Sequence, residues 1–175
     1  MEFRRLTADT DPYYAAARAL YQDSFPRYEQ REIASQRAIL ACPDYHFNLI
    51  FDDGRWVGLL LCWKWQNTIY VEHFCILPQL RGQQYGQRAL ELLAREGKTV
   101  ILEIDPPVPA DPIAQRRRGF YERCGYRENP FPHVHPPYHA DCGGHALVVM
   151  SAPRPLTQRD YDDFAAYLQG TVMAQ

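Results

Sequence analysis

Residues 78–91 read PQLRGQQYGQRALE and join an apolar, strand-like run to a segment whose apolar residues recur at helical spacing. The first turn of a helix leaves backbone N–H groups without partners, and the helix dipole adds partial positive charge there. Gly82 and Gly86 would let the main chain approach a ligand closely and adopt positive φ angles. Arg81 would add charge-assisted hydrogen bonds. The segment therefore predicts a binding site for an anion, most often a phosphate.

Other phosphate-binding motifs do not fit this segment. The chain has no GxxxxGK[ST] sequence, which excludes a P-loop nucleotide site, and GQQYG is not the GxGxxG of a dinucleotide-binding fold. The strands predicted before it also form an antiparallel meander, whereas the dinucleotide motif follows the first strand of a parallel sheet. A solvent-facing loop capped by glycines remains the alternative.

Hydrophobic periodicity predicts strands and helices in an order typical of a mixed α/β domain. The predicted segments are, for strands, residues 2–7, 45–53, 55–65, 68–77, 98–105 and 145–152, and, for helices, 11–25, 28–40, 85–96, 114–124 and 157–170. The chain shows neither internal repeats nor a long linker. We therefore expect a single domain over residues 1–175, closed by the C-terminal helix at about 157–170.

Composition and charge narrow the class of protein. Hydrophobic residues make up 46% of the chain and charged residues 23%, as in globular proteins, and a net charge of −2 offers no basic field for nucleic acid. The charged N-terminal segment lacks the apolar core of a signal peptide, and the longest apolar run, residues 57–63, is too short to span a bilayer. The five cysteines form no CxxC pair, which is typical of free thiols in a reducing compartment. We expect a cytoplasmic protein with neither nucleic acid nor membrane as partner.

The segment at residues 78–91 resembles the pyrophosphate-binding signature of the GNAT superfamily of acyl-CoA-dependent N-acyltransferases. That signature is a strand, V-x-P, then [RQ]-x-x-G-x-[GA] and an amphipathic helix, and Arg81, Gln84 and Gly86 stand at its positions. Gln84 departs from the usual pattern, because most members have a glycine there. Either the main chain approaches the pyrophosphate less closely, or the amide works unchanged with its side chain turned outward.

A second motif, GFYERCGY, resembles the helix end [LF]-Y-x-x-x-G-[FY] found in many members, with Phe120, Tyr121 and Gly125 in place. It follows the strand predicted at residues 98–105, which corresponds to the fifth strand of the family. Ala114 departs from the pattern, since many members have an asparagine there that bonds the pantetheine arm of coenzyme A. The two motifs in succession are fairly specific for the family.

The resemblance implies a GNAT-like α/β fold, with a mixed, mostly antiparallel central sheet flanked by helices on both faces. It implies a transferase, an acetyltransferase that moves an acyl group from the cosubstrate acetyl-CoA to a primary amine of a small molecule or peptide, by direct transfer in a ternary complex. No metal is expected, and a homodimer is compatible with the family. The residues that it assigns to cofactor binding are Cys75, Ile76, Arg81, Gly82, Gln83, Gln84, Tyr85, Gly86, Gln87 and Ala114.

Three side chains are candidates for the chemistry, because the attacking amine must lose a proton and the leaving thiolate must gain one. Tyr121 occupies the family's general-acid position. Glu72 and Glu103 each interrupt an apolar strand, where a buried carboxylate is costly without partners, so either is a candidate general base. Strand alternation predicts that His73 faces away from Glu72. Cys75 is expected to pack rather than to act as a nucleophile, since direct transfer needs no acyl-enzyme.

The loop ENPFPHVHPPYHADCGG offers two further interpretations. His133, His135, His139 and Cys142 are possible zinc ligands, but their spacing matches no standard finger and the prolines predict an extended loop. Alternatively, this loop and Tyr138 line the acceptor site. A non-catalytic module that binds or senses acyl-CoA also remains open, and the sequence does not identify the acceptor amine.

Overall fold

The computed structural model describes residues 1–174, which divide by their contacts into two compact units. The first unit is Met1–Lys98, and the second begins at Thr99. Among residues 1–174, no helix combines the length and the apolar character that crossing a bilayer requires. The single domain expected over residues 1–175 stays a prediction.

An antiparallel meander forms the sheet of the first unit. Its strands, in spatial order, are β1 (Glu2–Leu6), β2 (Tyr45–Asp52), β3 (Arg55–Trp65) and β4 (Thr68–Ile76). Asp53 and Gly54 join β2 to β3 with positive φ angles of 48° and 76°, as a tight hairpin turn requires. Phe47 and Trp63 are among the fully buried side chains of this sheet. The meander predicted from the apolar runs is thus present.

Three helices and two 3-10 turns complete the first unit. They are α1 (Tyr14–Ser24), α2 (Ile33–Ile39) and α3 (Tyr85–Ala94), with 3-10 turns at Arg27–Glu29 and Pro78–Leu80. The helix predicted over residues 28–40 is wrong in its first half, because Gln30 and Glu32 are extended, with ψ angles of 140° and 139°. The Gln30 amide instead donates to the carbonyls of Gln22 and Phe25 at the end of α1, at 3.1 and 2.6 Å. Tertiary hydrogen bonds override the helical periodicity here.

The second unit contains a three-stranded sheet and a separate short hairpin. Its strands are β5 (Thr99–Ile104), β6 (Arg127–Glu128), β7 (Val134–His135), β8 (His145–Ala146) and β9 (Val148–Ala152). β9 pairs antiparallel with both β5 and β6, while β7 pairs antiparallel with β8. The strand predicted over residues 145–152 is therefore divided between the two sheets. The predicted class, mixed α/β with a mostly antiparallel sheet, is confirmed.

Polar caps set the helix ends of the second unit. Its helices are α4 (Pro112–Arg123) and α5 (Gln158–Tyr167), and a π-helical turn at Leu168–Val172 continues α5. Asp111 starts α4 by accepting from the N–H groups of Ile113 and Ala114, at 2.9 and 3.0 Å. Thr157 and Asp160 bond each other reciprocally as a capping box at the start of α5.

Asn129 holds the start of α5 against β9. Its buried amide accepts from the Leu156 N–H at 2.7 Å and donates to the Val149 carbonyl at 3.2 Å and to Ser151 Oγ at 3.0 Å. Loss of this amide would leave buried polar groups without partners, which is costly. The clamp fixes where α5 presents Tyr161.

Candidate functional site

The predicted anion site lies in the turn between β4 and α3, where two nearby residues adopt left-handed backbone angles. Gly82 has a φ angle of 76°, and Gln84, the residue before α3, has a φ angle of 62°. Gly86 lies in the first turn of α3 and is helical, so the expectation of a positive φ angle is wrong at that position. The helix begins one residue earlier than Gly86, which moves the left-handed conformation to Gln84.

The side chains of this turn are exposed and polar. Arg81 Nε donates to the Ile76 carbonyl at 3.3 Å, which holds the guanidinium beside the end of β4. Gln83 donates to a carbonyl of the preceding 3-10 turn at 3.3 Å, and Gln87 donates to Glu91 at 2.8 Å. The first amides of α3 have no carbonyl within the helix to bond. Amides, carboxamides and one guanidinium together form a donor set that suits a diphosphate.

Arg88 anchors α3 to the sheet of the first unit. Its guanidinium donates two hydrogen bonds to Asp52 at the end of β2, at 2.9 and 2.6 Å. The same group lies 5.7 Å from the centre of the half-buried Tyr85 ring. The hydrogen bonds from Arg88 are the main reason why the pKa of the Asp52 carboxyl is lowered. The start of α3 is thereby held in place relative to β2.

The end of β4 approaches β3 closely at Cys75 and Ile76. A Cβ atom on Gly58, which is paired with Ile76, would lie 2.4 Å from the Cys75 carbonyl oxygen. Only glycine fits there without a shift of the main chain. Burial raises the pKa of the Cys75 thiol. Gly58 was not among the predicted site residues, although a glycine inside an apolar strand is the ordinary signal of such an approach.

Glu72 is the extra residue of a β-bulge in β4. Leu61 of β3 pairs with His73, and the next residue, Cys62, pairs with Val71. A bulge interrupts the alternation of side chains along a strand and redirects the residue that it inserts. The rule that neighbouring residues point to opposite faces therefore does not apply here.

Glu72 and His73 consequently both contact the connection at residues 21–31. Glu72 Oε1 accepts from Arg31 Nε at 2.8 Å, and His73 Nε2 lies 3.5 Å from the Tyr21 hydroxyl. The Arg31 N–H donates to that hydroxyl at 2.8 Å, which links the two contacts. The prediction that His73 faces away from Glu72 is wrong because of the bulge.

The Glu72 carboxylate is enclosed. Its side chain is 0% exposed and that of Arg31 is 2% exposed. Trp63 Nε1 donates to the second carboxylate oxygen at 2.9 Å. Burial, and then the charge of Glu72, raises the pKa of Tyr21. Glu72 is the acceptor of a buried ion pair that ties β4 to residues 21–31.

Glu103, in β5, meets a different set of partners. Its Oε1 is hydrogen-bonded to Nε2 of His133, which lies just before β7, and the two side chains are 6% and 3% exposed. His133 Nδ1 lies 3.0 Å from the Tyr161 hydroxyl, and that hydroxyl donates to the Pro132 carbonyl at 3.0 Å. The His133 ring also stacks on Phe164 at 5.7 Å. The result is a connected chain of carboxylate, imidazole and phenol.

Tyr121 and Ala114 share the buried face of α4. The Tyr121 ring packs edge-on against Phe120 and Tyr126, with centroid distances of 5.1 and 5.7 Å. The Tyr126 N–H bonds the Tyr121 carbonyl at 3.0 Å, just after Gly125 turns the chain with a φ angle of 89°. The aromatic contacts fix the ring of the candidate acid, and Ala114 adds no polar group to this face.

The histidine-rich loop separates its possible ligands. Within residues 1–174, His133, His135, His139 and Cys142 do not meet as a metal-ligand group. His133 bonds Glu103, and His135 Nδ1 donates to the carbonyl of the next residue at 2.6 Å. The loop thus contributes one imidazole to Glu103 and forms the hairpin with the rest.

The sequence did not indicate three of these contacts, which are those of His133 with Glu103, Tyr161 with His133, and Arg31 with Glu72. His133 was one of several histidines in the loop, and its pairing with Glu103 has no sequence signal because 30 residues separate them. Tyr161 read as an ordinary residue of the closing helix, and Arg31 as part of a longer α2. Each gains its role from a contact between distant parts of its unit.

Comparison with known proteins supports one family. The model of the Acetyltransferase (GNAT) family matches residues 13–126. YjbC of Bacillus subtilis (strain 168), a candidate acetyltransferase, is 27% identical over 101 residues, which cover 57% of this chain and 50% of YjbC. The matched region thus spans half the length of that relative.

Solved structures agree with the fold. A GNAT-family protein of Bacteroides thetaiotaomicron superposes with a TM-score of 0.91 and 29% identity, covering 100% of this chain and 99% of that one. An aminoglycoside 6'-N-acetyltransferase crystallised with coenzyme A superposes with a TM-score of 0.62 and 16% identity, covering 89% of this chain and 100% of that one. The latter likeness concerns the fold alone.

Proposed function

Because the chain belongs to the GNAT acetyltransferase family, we propose that it is an N-acetyltransferase that moves an acetyl group from acetyl-CoA to a primary amine. Transfer is direct, in a ternary complex, and the acceptor is a small-molecule or peptide amine. Acetyl-CoA supplies the activated thioester. The five free cysteines favour a cytoplasmic location, where thiols stay reduced.

The turn before α3 carries this proposal. Its left-handed residues, Gly82 and Gln84, lie just before a helix N-terminus, where the first amides have no intrahelical acceptor, and Arg81 adds a positive charge beside them. An oxygen-rich dianion such as a pyrophosphate is the ligand that these donors satisfy best. The amides and side chains of residues 81–87 would hold this part of coenzyme A.

The end of β4 would orient the thioester of acetyl-CoA. Main-chain groups near Cys75 and Ile76 would polarise the thioester carbonyl, and the close approach at Gly58 keeps this stretch rigid. Holding the amine and the thioester together contributes several kcal/mol to catalysis through orientation alone. Burial raises the pKa of Cys75, which favours direct transfer over an acyl-cysteine.

Of the two candidate bases, we assign the role to Glu103. Glu72 is fully enclosed and already accepts hydrogen bonds from Arg31 and Trp63, so a substrate amine has no access to it. The Glu103 side chain retains 6% exposure and is bonded to His133, and an imidazole is a group that can exchange protons. Tyr121 would give a proton to the leaving sulfur.

Calorimetric titration of acetyl-CoA and coenzyme A, with ATP and NAD as controls, tests the cosubstrate. Arg81→Ala should weaken coenzyme A binding about 10- to 100-fold, the worth of one or two charge-assisted hydrogen bonds. Arg95→Ala, which changes an exposed arginine at the opposite end of α3, is the matched control and should bind as the wild type does. Absence of coenzyme A binding to the wild type would overturn the proposal.

Thiol release from acetyl-CoA, screened against primary amines, tests the chemistry. Glu103→Gln and Tyr121→Phe should each lower the rate about 10²- to 10⁴-fold, as expected for one acid–base group. Coenzyme A binding without thiol release for any amine would favour the non-catalytic acyl-CoA module instead. Full activity of Tyr121→Phe would remove the tyrosine from the mechanism.

A further inference from the structure

We propose, on the basis of the transfer function proposed above, that Glu103 and His133 act as one proton-accepting unit whose imidazole is held by Tyr161. His133 is then part of the base, and Tyr161 is the residue that positions it. Neither was assigned a role in proton transfer by the sequence. The inference follows from where hydrogen atoms can lie in the chain that joins Glu103, His133, Tyr161 and Pro132.

The geometry fixes the first ring proton. Tyr161 has a single hydroxyl proton and donates it to the Pro132 carbonyl, which can only accept. His133 Nδ1, 3.0 Å from the same hydroxyl oxygen, must then be the donor in that contact. The opposite assignment would leave the Tyr161 and Pro132 oxygens facing each other at 3.0 Å without a proton between them. The ring therefore carries a proton on Nδ1.

The contact on the other side of the ring requires a second proton. With Nδ1 protonated, His133 Nε2 and Glu103 Oε1 are both acceptors, and they can be in hydrogen-bond contact only if a proton lies between them. An imidazole nitrogen is a stronger base than a carboxylate oxygen, so this proton resides on Nε2. When it leaves, two lone pairs oppose each other. That opposition makes the proton-free pair a stronger base than a lone carboxylate.

The proton transfer balances in charge. In the proton-free pair, Glu103 is ionised and His133 is neutral, which gives a net charge of −1. An N–H bond of the acceptor ammonium breaks, its electron pair remains on nitrogen for attack, and the proton passes directly or through one water to the pair, which becomes neutral. Water receives that proton after the product leaves.

The surroundings keep the ring in place. His133 faces Glu103 of β5 and Tyr161 and Phe164 of α5. Burial, and then the charges of Glu103 and Asp162, raises the pKa of Tyr161. The phenol therefore stays protonated and retains its donor role over the working pH range.

Nitrogen-15 NMR of the histidine side chains tests the proton positions in the free protein, with the His133 signals assigned by their loss in His133→Gln. At low pH both ring nitrogens should carry protons, and at high pH only Nδ1 should. In Glu103→Gln the new amide donates to Nε2, so the ring should be neutral with Nδ1–H at pH 7, and Tyr161→Phe should weaken the Nδ1–H preference. A neutral wild-type ring protonated on Nε2, or titration unchanged by Glu103→Gln, overturns the proposal.

The pH dependence of kcat/KM tests the catalytic role, using the amine that reacts fastest in the thiol-release screen. His133→Gln keeps a hydrogen-bond donor beside Glu103 but cannot titrate. In this variant, the acidic limb of the kcat/KM profile should move about one pH unit or more to lower pH, and the plateau of kcat/KM should fall about 10- to 100-fold. His145→Gln alters a second imidazole–carboxylate contact, 3.4 Å to Asp105, and should change neither. A uniform loss with an unmoved limb would mean that His133 only holds the loop.

Calorimetry separates this proposal from the one on which it rests. Coenzyme A should bind His133→Gln as tightly as it binds the wild type. If the wild type binds coenzyme A but its His133 ring does not show the expected proton positions, only the paired base is refuted. If the wild type fails to bind coenzyme A, the transfer function fails, and the catalytic role of the pair fails with it.

Discussion

Replacing Glu72 by glutamine should destabilise the first unit without acting on the chemistry. The carboxylate accepts from Arg31 at 2.8 Å and from Trp63 at 2.9 Å, and its side chain is 0% exposed. Glutamine offers one oxygen to these two donors and turns an N–H group toward the other. Removing one partner of a buried ion pair costs about 3–5 kcal/mol, because the remaining charge stays buried and uncompensated.

The size of the effect can be compared with an exposed pair in the same unit. In a protein of 150–250 residues, about 1 kcal/mol corresponds to roughly 2–4 °C, so Glu72→Gln should lower Tm by about 6–20 °C. Lys64 and Glu96 form an ion pair at 2.6 Å whose side chains are 18% and 31% exposed. Glu96→Gln should therefore cost at most about 1 kcal/mol.

Urea unfolding followed by tryptophan fluorescence is the appropriate assay, because Trp56, Trp63 and Trp65 all lie in the first unit. Arg31→Gln combined with Glu72→Gln removes both charges and should be less destabilising than the two single losses added together. A midpoint for Glu72→Gln equal to that of Glu96→Gln would refute the structural role. Glu72 would then return as a candidate base.

Three further outcomes are expected. Gln84→Gly should raise the unfolding free energy by about 1 kcal/mol, because glycine adopts the φ angle of 62° without strain, and calorimetry should show coenzyme A affinity at least equal to that of the wild type. Gly58→Ala should lower the unfolding free energy by about 1–3 kcal/mol in urea unfolding and should also lower the affinity for coenzyme A, since the new Cβ would lie 2.4 Å from the Cys75 carbonyl oxygen. Burial, followed by the charge of Lys64, lowers the pKa of His46 to about 4. The unfolded chain, with a histidine pKa of about 6.5, binds more protons below that pH, so stability should decline from about pH 6.5 to 4, and His46→Gln should flatten the decline.

The sequence predicted the parts of the fold that depend on local pattern. The meander follows from long apolar runs separated by turn residues, and the start of α3 follows from a proline, two glycines and helical spacing. The sequence could not predict the first half of the segment at residues 28–40, where helical spacing is present but the chain is extended. There the Gln30 amide caps α1 and Arg31 reaches β4, and neither contact appears in the periodicity.

Which face of β4 each side chain lies on was also not fully predictable from the sequence. Alternation predicts sides correctly only in an unbroken ladder, and a single inserted residue at Glu72 reverses the inference for His73. No local signal marks the insertion. The left-handed conformation of Gln84 was similarly hidden, because glutamine has no preference for positive φ angles.

Two glutamates with the same sequence signature thus acquire different chemistry from their partners. Each interrupts an apolar strand, but Glu72 faces an arginine and an indole, which cannot give up protons near neutral pH. Both of its carboxylate oxygens are therefore committed to contacts that hold the fold together. Glu103 faces an imidazole, the one side chain that ordinarily exchanges protons in that range. In the proposed paired base, His133→Gln leaves Glu103 in its place in β5 but removes the imidazole nitrogen that takes up the proton.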